Sequence, residues 1–446
     1  MIVKQMNKKM TLVLAIICLL PLGMLNAQDT LTVSLPKALE IAMSQSPTIK
    51  VANKEIERVD YSKKEKFAAL FPSISVSGSY QRTIEKQKVF FNIPGMPPNN
   101  DGFKMGQDNT LNGGISASLP IVSPTLWASL QMTELDAKLA LESARSSKIS
   151  LVNQVTKAYY TILLTQDQYN VFKRSYQNTA ENARIIYNKF KQGTVSEFEW
   201  IRADVQVRNA NSNLVSAESG VNMSKLQLKM LMGVDMFTAI KVEGSLSIFE
   251  KKMYGDMLSI DTTSLKSNTD LNQFDIKSKQ LDHALKIQKS AWWPTLAASF
   301  NYMQMSMADD GNTLKWFPSS TAALQLNIPL FQGGARLYKE KQLKIQIDQL
   351  KDQRDNLRRS LEMQTISCLD NIKKAIEKIE SNKEGLRQAE KAVSISKKLY
   401  EVGSSTYLDL SNSELAFISA GLSYNQSIFD YLTAKADLEK LLGKKQ

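Results

Sequence analysis

Side chains able to do covalent or acid–base chemistry are few in this chain of 446 residues. His283 is the only histidine, which excludes histidine-based proton relays and multi-histidine metal sites. Cys18 and Cys368 are the two cysteines. Cys18 lies in the amino-terminal apolar run, and Ile17 before it is not the small residue a lipoprotein signal needs, so lipidation is not expected. Cys368 falls on a helical pattern and reads as a small buried hydrophobe; one remaining thiol makes neither a disulfide nor a thiolate metal site. Gly113-Gly114 and Gly333-Gly334 sit within or beside strand patterns and do not form a phosphate-binding loop. The expectation is a protein without catalytic, cofactor-binding or metal-binding residues, not an enzyme, whose function lies in shape and charge.

The net charge of +12 is spread along helical faces with acids between the bases, as in Lys373-Lys374-Ala375-Ile376-Glu377-Lys378. That is a solvated helix surface, and no nucleic-acid partner is expected. Lys4, Lys8 and Lys9 precede an apolar run from Met10 to Leu25, and Leu25-Asn26-Ala27 ends on a small residue. Residues 1–27 therefore read as a secretory signal peptide. Removing its three lysines takes the net charge from +12 to +9. No later run of about 18 apolar residues exists, so no helix of the mature chain is expected to span a bilayer.

The elements that must supply the shape occur twice. From Trp200, large apolar residues recur every seventh position (Val207, Leu214, Val221, Leu228), each followed three residues later by a small one (Ala203, Ala210, Ala217, Ser224) until Leu231 closes the series. Leu410, Phe417, Tyr424, Tyr431 and Leu438, with Ser413, Ala420, Ser427, Ala434 and Leu441, repeat the pattern 210 residues on. A seven-residue period held this long is a coiled-coil seam, and the shared offset marks an internal duplication. Before each seam the period changes to two. Ile74, Val76 and Tyr80 alternate with serines after Phe71-Pro72, and Leu296, Ala298, Phe300 and Tyr302 alternate with polar residues after Trp292-Trp293-Pro294.

This predicts a first repeat over 28–233: a helix, strands at 73–83 and 110–121, a long helix at 124–192 and a heptad helix at 195–232. A connecting segment, 234–264, has no clear periodicity. The second repeat, 265–446, has a helix, strands at 295–305 and 320–330, a long helix at 334–402 and a heptad helix at 405–442. Helices of about 68 residues reach roughly 100 Å. Gly193 and Gly403 close the long helices, and Thr194 or Ser196, and Ser404 or Ser405, are the expected caps of the next ones. Phe71, Trp127, Trp292, Trp293, Trp316 and Phe317 at the strand margins suit an interfacial belt. Four strands cannot close a barrel, and open edges in lipid leave unpaired backbone groups, so membrane strands here require several copies.

The order helix–strand–strand–long helix–glycine turn–heptad helix, repeated, resembles the outer membrane efflux protein family, the TolC-like channels. The resemblance rests on Phe71-Pro72-Ser73 and Trp293-Pro294-Thr295, on Leu119-Pro120-Ile121 and Ile328-Pro329-Leu330-Phe331-Gln332-Gly333-Gly334, and on the turns Phe190–Gly193 and Tyr400–Gly403. It implies an α+β membrane protein: a homotrimer in the outer membrane of a Gram-negative-type cell, with a twelve-stranded barrel in the lipid and a periplasmic tunnel of antiparallel coiled-coil helices. Its implied partners are a periplasmic adaptor (membrane fusion) protein and an inner-membrane pump, for efflux or type I secretion. It also implies a pore constriction near Lys391, Ser394, Lys397 and Lys398, where some members carry an acidic ring, and adaptor-docking tips at Gly193, Thr194, Val195, Gly403, Ser404 and Ser405. The alternative reading is an exported soluble coiled-coil scaffold without channel activity.

Overall fold

Two side-chain periods, 3.6–3.5 and 2, alternate along the chain and set its elements. The computed structural model describes residues 31–90, 102–250, 265–309 and 315–443. In order they form β1 (Leu31–Val33), α1 (Leu35–Gln45), α2 (Pro47–Ala68), β2 (Ser73–Arg82), β3 (Gln87–Val89), β4 (Phe103–Met105), β5 (Asn109–Val122), α3 (Pro124–Lys191), α4 (Glu197–Met232), β6 (Ile240–Val242), α5 (Thr269–Ser290), β7 (Thr295–Ala308), β8 (Trp316–Asn327), α6 (Ala335–Glu401) and α7 (Tyr407–Leu441). The signal-peptide reading of 1–27 and most of the turn-rich loop after Phe90 lie outside the described residues.

Several expectations need correction. The fourth strand is Trp316–Asn327 and not 320–330, because Pro329 cannot donate to a ladder and Ile328-Pro329-Leu330 leaves the sheet. The connecting segment holds a strand: β6 pairs in parallel with β1 at the chain's described start. The 210-residue offset of the heptad helices gives way to a longer one before the sheet. Helices α2 and α5 match at an offset of 222, as do the starts of β2 and β7. The difference falls in the first strand-to-strand connection, which contains the small β3–β4 hairpin.

The chain divides into two compact units. One comprises residues up to Pro47, Leu151–Ile260 and Cys368–Asp437; the other comprises Thr48–Ser150, Asp261–Ser367 and Leu438–Gln446. Each therefore draws on both sequence repeats. In the first unit the heptad seams are its core: Ala203, Ala210, Val221, Ser224 and Leu228 of α4, and Leu410, Phe417, Ser427, Tyr431 and Ala434 of α7, are buried. The α1 face buries Ala38, Ile41 and Ala42. Gly233 ends α4 in the left-handed region (φ 74°), and a Cβ there would lie 2.7 Å from the Gln45 carbonyl oxygen. In the second unit Gly443 makes the equivalent approach to Ser267 after α7.

The second unit also carries an antiparallel sheet in the order β2-β5-β7-β8. Pro120 is tolerated inside β5 because the register shifts between Pro120 and Val122, a bulge that releases the missing N–H from the ladder.

Candidate channel sheet and helical tips

The sheet register aligns the alternating side chains into rows. Ile74 faces Ala117, which faces Phe300, which faces Ala322; Val76, Ile115 and Tyr302 form the neighbouring row. On the opposite face Ser75, Ser116, Asn301 and Thr321 stand in line, and the Ser75 and Ser116 hydroxyls are 2.7 Å apart. Every residue of β2 and of β8, the two edge strands, is exposed within this chain. Ile74, Val76 and Leu324 are 72%, 78% and 71% exposed, which water alone would not favour for a row of large apolar side chains. Phe71, Trp127, Trp292 and Trp293 gather at one end of the sheet and Trp316 and Phe317 at the other, all exposed. Strands of 10 to 14 residues separate the two groups. That is the length a tilted strand needs to cross the apolar part of a bilayer. Past Tyr302 the alternation on β7 inverts, putting Met303, Met305 and Met307 on the same face as Asn301 and Ser299.

The tips belong to the other unit. Gly193 (φ 71°) and Gly403 (φ 77°) close α3 and α6, and the amides of Thr194 and Ser404 return to the carbonyls of Lys189 and Leu399. No atom lies within 4 Å of a Cβ built on either glycine. Thr194, Gly193, Gly403 and Ser404 are exposed, while Val195 and Ser405 are partly buried. Ser196 caps α4 by accepting the Glu199 amide. The cap of α7 is Thr406, not Ser404 or Ser405. The Thr406 hydroxyl accepts the Asp409 amide at 3.2 Å, and the Asp409 carboxylate accepts the Thr406 amide at 3.1 Å, a reciprocal capping box. Three hydrogen bonds from Ser405 and Thr406 hold the Asp409 carboxyl below its usual range.

Behind the turns, Ile186, Ala203, Tyr400, Tyr407 and Leu410 form a buried cluster, with Trp200 stacked on Phe190 at 5.6 Å. Burial pushes the Tyr400 and Tyr407 phenols up to about 12. Lys189 of the first hairpin donates to the Tyr400 carbonyl at 3.0 Å and sits 4.5 Å over the Tyr400 ring. A cation thus meets the negative end of α6. Farther from the turns, Lys397 pairs with Glu181 at 3.0 Å and Arg174 with Glu390 at 2.9 Å, joining α6 to α3 twice.

The four expected constriction residues divide accordingly. Lys391, Ser394 and Lys398 are exposed and share one α6 stripe, whereas Lys397 is half-buried and held by Glu181. The hydrogen bond and charge of Lys397 lower the Glu181 carboxyl. One residue escaped sequence reasoning altogether. Glu414 on α7 is 7% exposed and accepts the Asn182 amide of α3 at 2.6 Å, and burial pushes it up to about 7. Its counterpart 210 residues earlier, Asp204, makes an ordinary surface pair with Arg208. Cys368, expected as a buried hydrophobe, is only half-buried, and desolvation and Asp437 raise its thiol. His283 lies within α5, half-buried. Among the described residues no helix is long and apolar enough to cross a membrane, and no group of acidic, cysteine or histidine side chains is placed to hold a metal.

Comparison with known proteins places this architecture. The family model described as outer membrane efflux protein matches residues 38–234 and 262–444. The chain is 23% identical over 288 residues to toxin and drug export protein A of Aggregatibacter actinomycetemcomitans, covering 63% of this chain and 58% of that one. It is 19% identical over 349 residues to outer membrane protein TolC of Vibrio cholerae serotype O1, covering 76% and 77%. The chain thus spans less than two thirds of the length of the first of these relatives. The solved CmeC outer membrane channel of Campylobacter jejuni shares the fold, with a TM-score of 0.71 at 18% identity over 92% of this chain and 85% of that one.

Proposed function

We propose, from the premise that this chain belongs to the outer membrane efflux protein family, that it is an outer-membrane exit duct. Three copies would join their sheets into one barrel in outer-membrane lipid. Their helices would form the periplasmic conduit of a tripartite efflux or type I secretion system. The observation that carries this reading is the sheet: four strands, both edges unpaired among the described residues, and an exposed apolar row between aromatic ends. Four strands are below the roughly eight that close a barrel. Three copies of a four-stranded sheet give twelve. Open edges in lipid would cost several kcal/mol for each unpaired group, so closure by further copies is the physical requirement. The exported soluble scaffold would leave Ile74, Val76, Leu324 and Leu326 in water with no compensating partner.

Within that duct we assign Gly193, Thr194, Val195, Gly403, Ser404 and Ser405 to the surface that meets a periplasmic adaptor protein, itself bound to an inner-membrane pump. The open space around Gly193 and Gly403 and the exposure of Thr194 and Ser404 support the assignment. Lys391, Ser394 and Lys398 would line the narrowest part, with Lys397 bracing it through Glu181. Native mass measurement of detergent-extracted protein tests the reading. A mass of three chains that requires detergent is expected; a monomer released without detergent would overturn it.

A further inference from the structure

Glu414 is a carboxyl inside a helix packing interface, where most heptad positions carry apolar or small residues. It projects from α7 onto α3, and its neutral partners there are Asn182, donating at 2.6 Å, and Thr179. Lys397 of α6 is the cation facing it, but Lys397 is engaged at 3.0 Å with Glu181 of α3. The remaining titratable groups nearby are Tyr407 on its own helix, Tyr400 of α6, and Arg202 and Glu199 of α4, which act on the two tyrosines. Two acids thus bracket one lysine, and one of the two acids is dry.

We propose that Glu414 is a proton-operated wedge between the two helical hairpins, holding their tips together when protonated and loosening them when ionised. The inference rests on the duct reading for its meaning, since the hairpins would be the part of the conduit that opens. Neutral Glu414 fits the site: one oxygen accepts from Asn182, and no charge is buried. Ionised Glu414 has two ways to relieve its desolvation. It can draw Lys397 from Glu181, which breaks a link between α6 and α3, or it can swing into water, which unpacks α7 from Asn182. Either motion loosens the same junction. The Asn182 bond, the neighbouring Lys397 charge and Thr179 moderate the effect without cancelling it.

The sign follows from proton linkage. The packed state binds the proton more tightly than the loosened one, so loosening is favoured as pH rises between the ordinary carboxyl range and about 7, and no further above that. Across that window each pH unit changes the loosening equilibrium by about tenfold. Glu181, whose carboxyl is lowered by Lys397, titrates below this window and leaves it undisturbed.

Hydrogen exchange on the full-length protein in detergent, corrected for the intrinsic pH dependence of exchange, reads the junction directly at residues 176–190 and 404–418. Protection should fall about tenfold per pH unit from pH 5 to 7 and level off above. Glu414→Gln should stay at the acid level throughout. Asn182→Ala should keep a pH dependence with its midpoint moved, since it removes a bond and not the proton. Protection that is independent of pH in the wild type, or the same pH dependence in Glu414→Gln, would overturn the wedge. Bilayer conductance measured on the same samples separates the two claims. PH-dependent protection without any channel would refute the duct and leave the wedge standing.

Discussion

Replacing Gly403 by tryptophan should abolish export while leaving assembly intact, and the structure shows why the two effects separate. Gly403 has φ 77°, so any L side chain there costs about 1–2 kcal/mol. Nothing in the chain crowds the new Cβ within 4 Å, and the return bonds from Gly403 to Tyr400 (3.1 Å) and from Ser404 to Leu399 (2.8 Å) involve only backbone. Seam residues such as Leu410 and Phe417 stay buried and untouched. A loss of that size changes a folding equilibrium by roughly 5- to 30-fold, too little to dissolve the proposed barrel-held trimer. An indole projecting from the turn, however, would occupy the space assigned to the proposed adaptor. Gly403→Asn is the control, because asparagine tolerates the left-handed region and adds little bulk. The assay pairs a gel for heat-modifiable oligomer in outer-membrane fractions with export of a fluorescent dye in a strain carrying the cognate adaptor and pump. Asn should behave nearly as wild type in both; Trp should keep the oligomer and lose export. Wild-type export by the Trp protein, or loss of oligomer in both variants, would refute the docking assignment.

Charge reversal at Lys391, Lys397 and Lys398 to glutamate should shift single-channel selectivity towards cations, and unchanged selectivity would remove these residues from the narrowest part. Gly233→Ala should destabilise the first unit by about 2–4 kcal/mol, because the left-handed cost adds to a Cβ placed 2.7 Å from the Gln45 carbonyl oxygen; a thermal midpoint equal to wild type would contradict this packing. Lys189→Met should cost about 1 kcal/mol and raise hydrogen exchange at residues 399–406, since it removes the cation over the end of α6; exchange unaltered there would show that the contact holds nothing.

Much of this architecture is legible in the sequence because its periods are long and clean. The seams of α4 and α7 run for five heptads and can be read without knowing their partners, and the Ser-rich alternation of β2 leaves one register. Glycines before polar caps located both turns. What stayed hidden depends on tertiary contact. Thr406 outcompetes Ser404 and Ser405 as a cap because Asp409 stands three residues on to complete the box, a signal local to the sequence. The three-residue strand β6 has too few residues for a period, and its partner β1 is some 200 residues away. Glu414 looks like any surface acid of a helix, as Asp204 is; only the crossing of α7 over Asn182 makes it dry. Lys397 differs from Lys391 and Lys398 for the same reason: Glu181, on another helix, selects it.

The most direct test of the central claim is electrical. Purified oligomer added to a planar lipid bilayer should produce discrete, uniform conductance steps, and denatured monomer added at equal protein concentration should produce none. A stable oligomer that inserts into the bilayer and never conducts, at any voltage or pH, would contradict the account that these strands and helices enclose a channel.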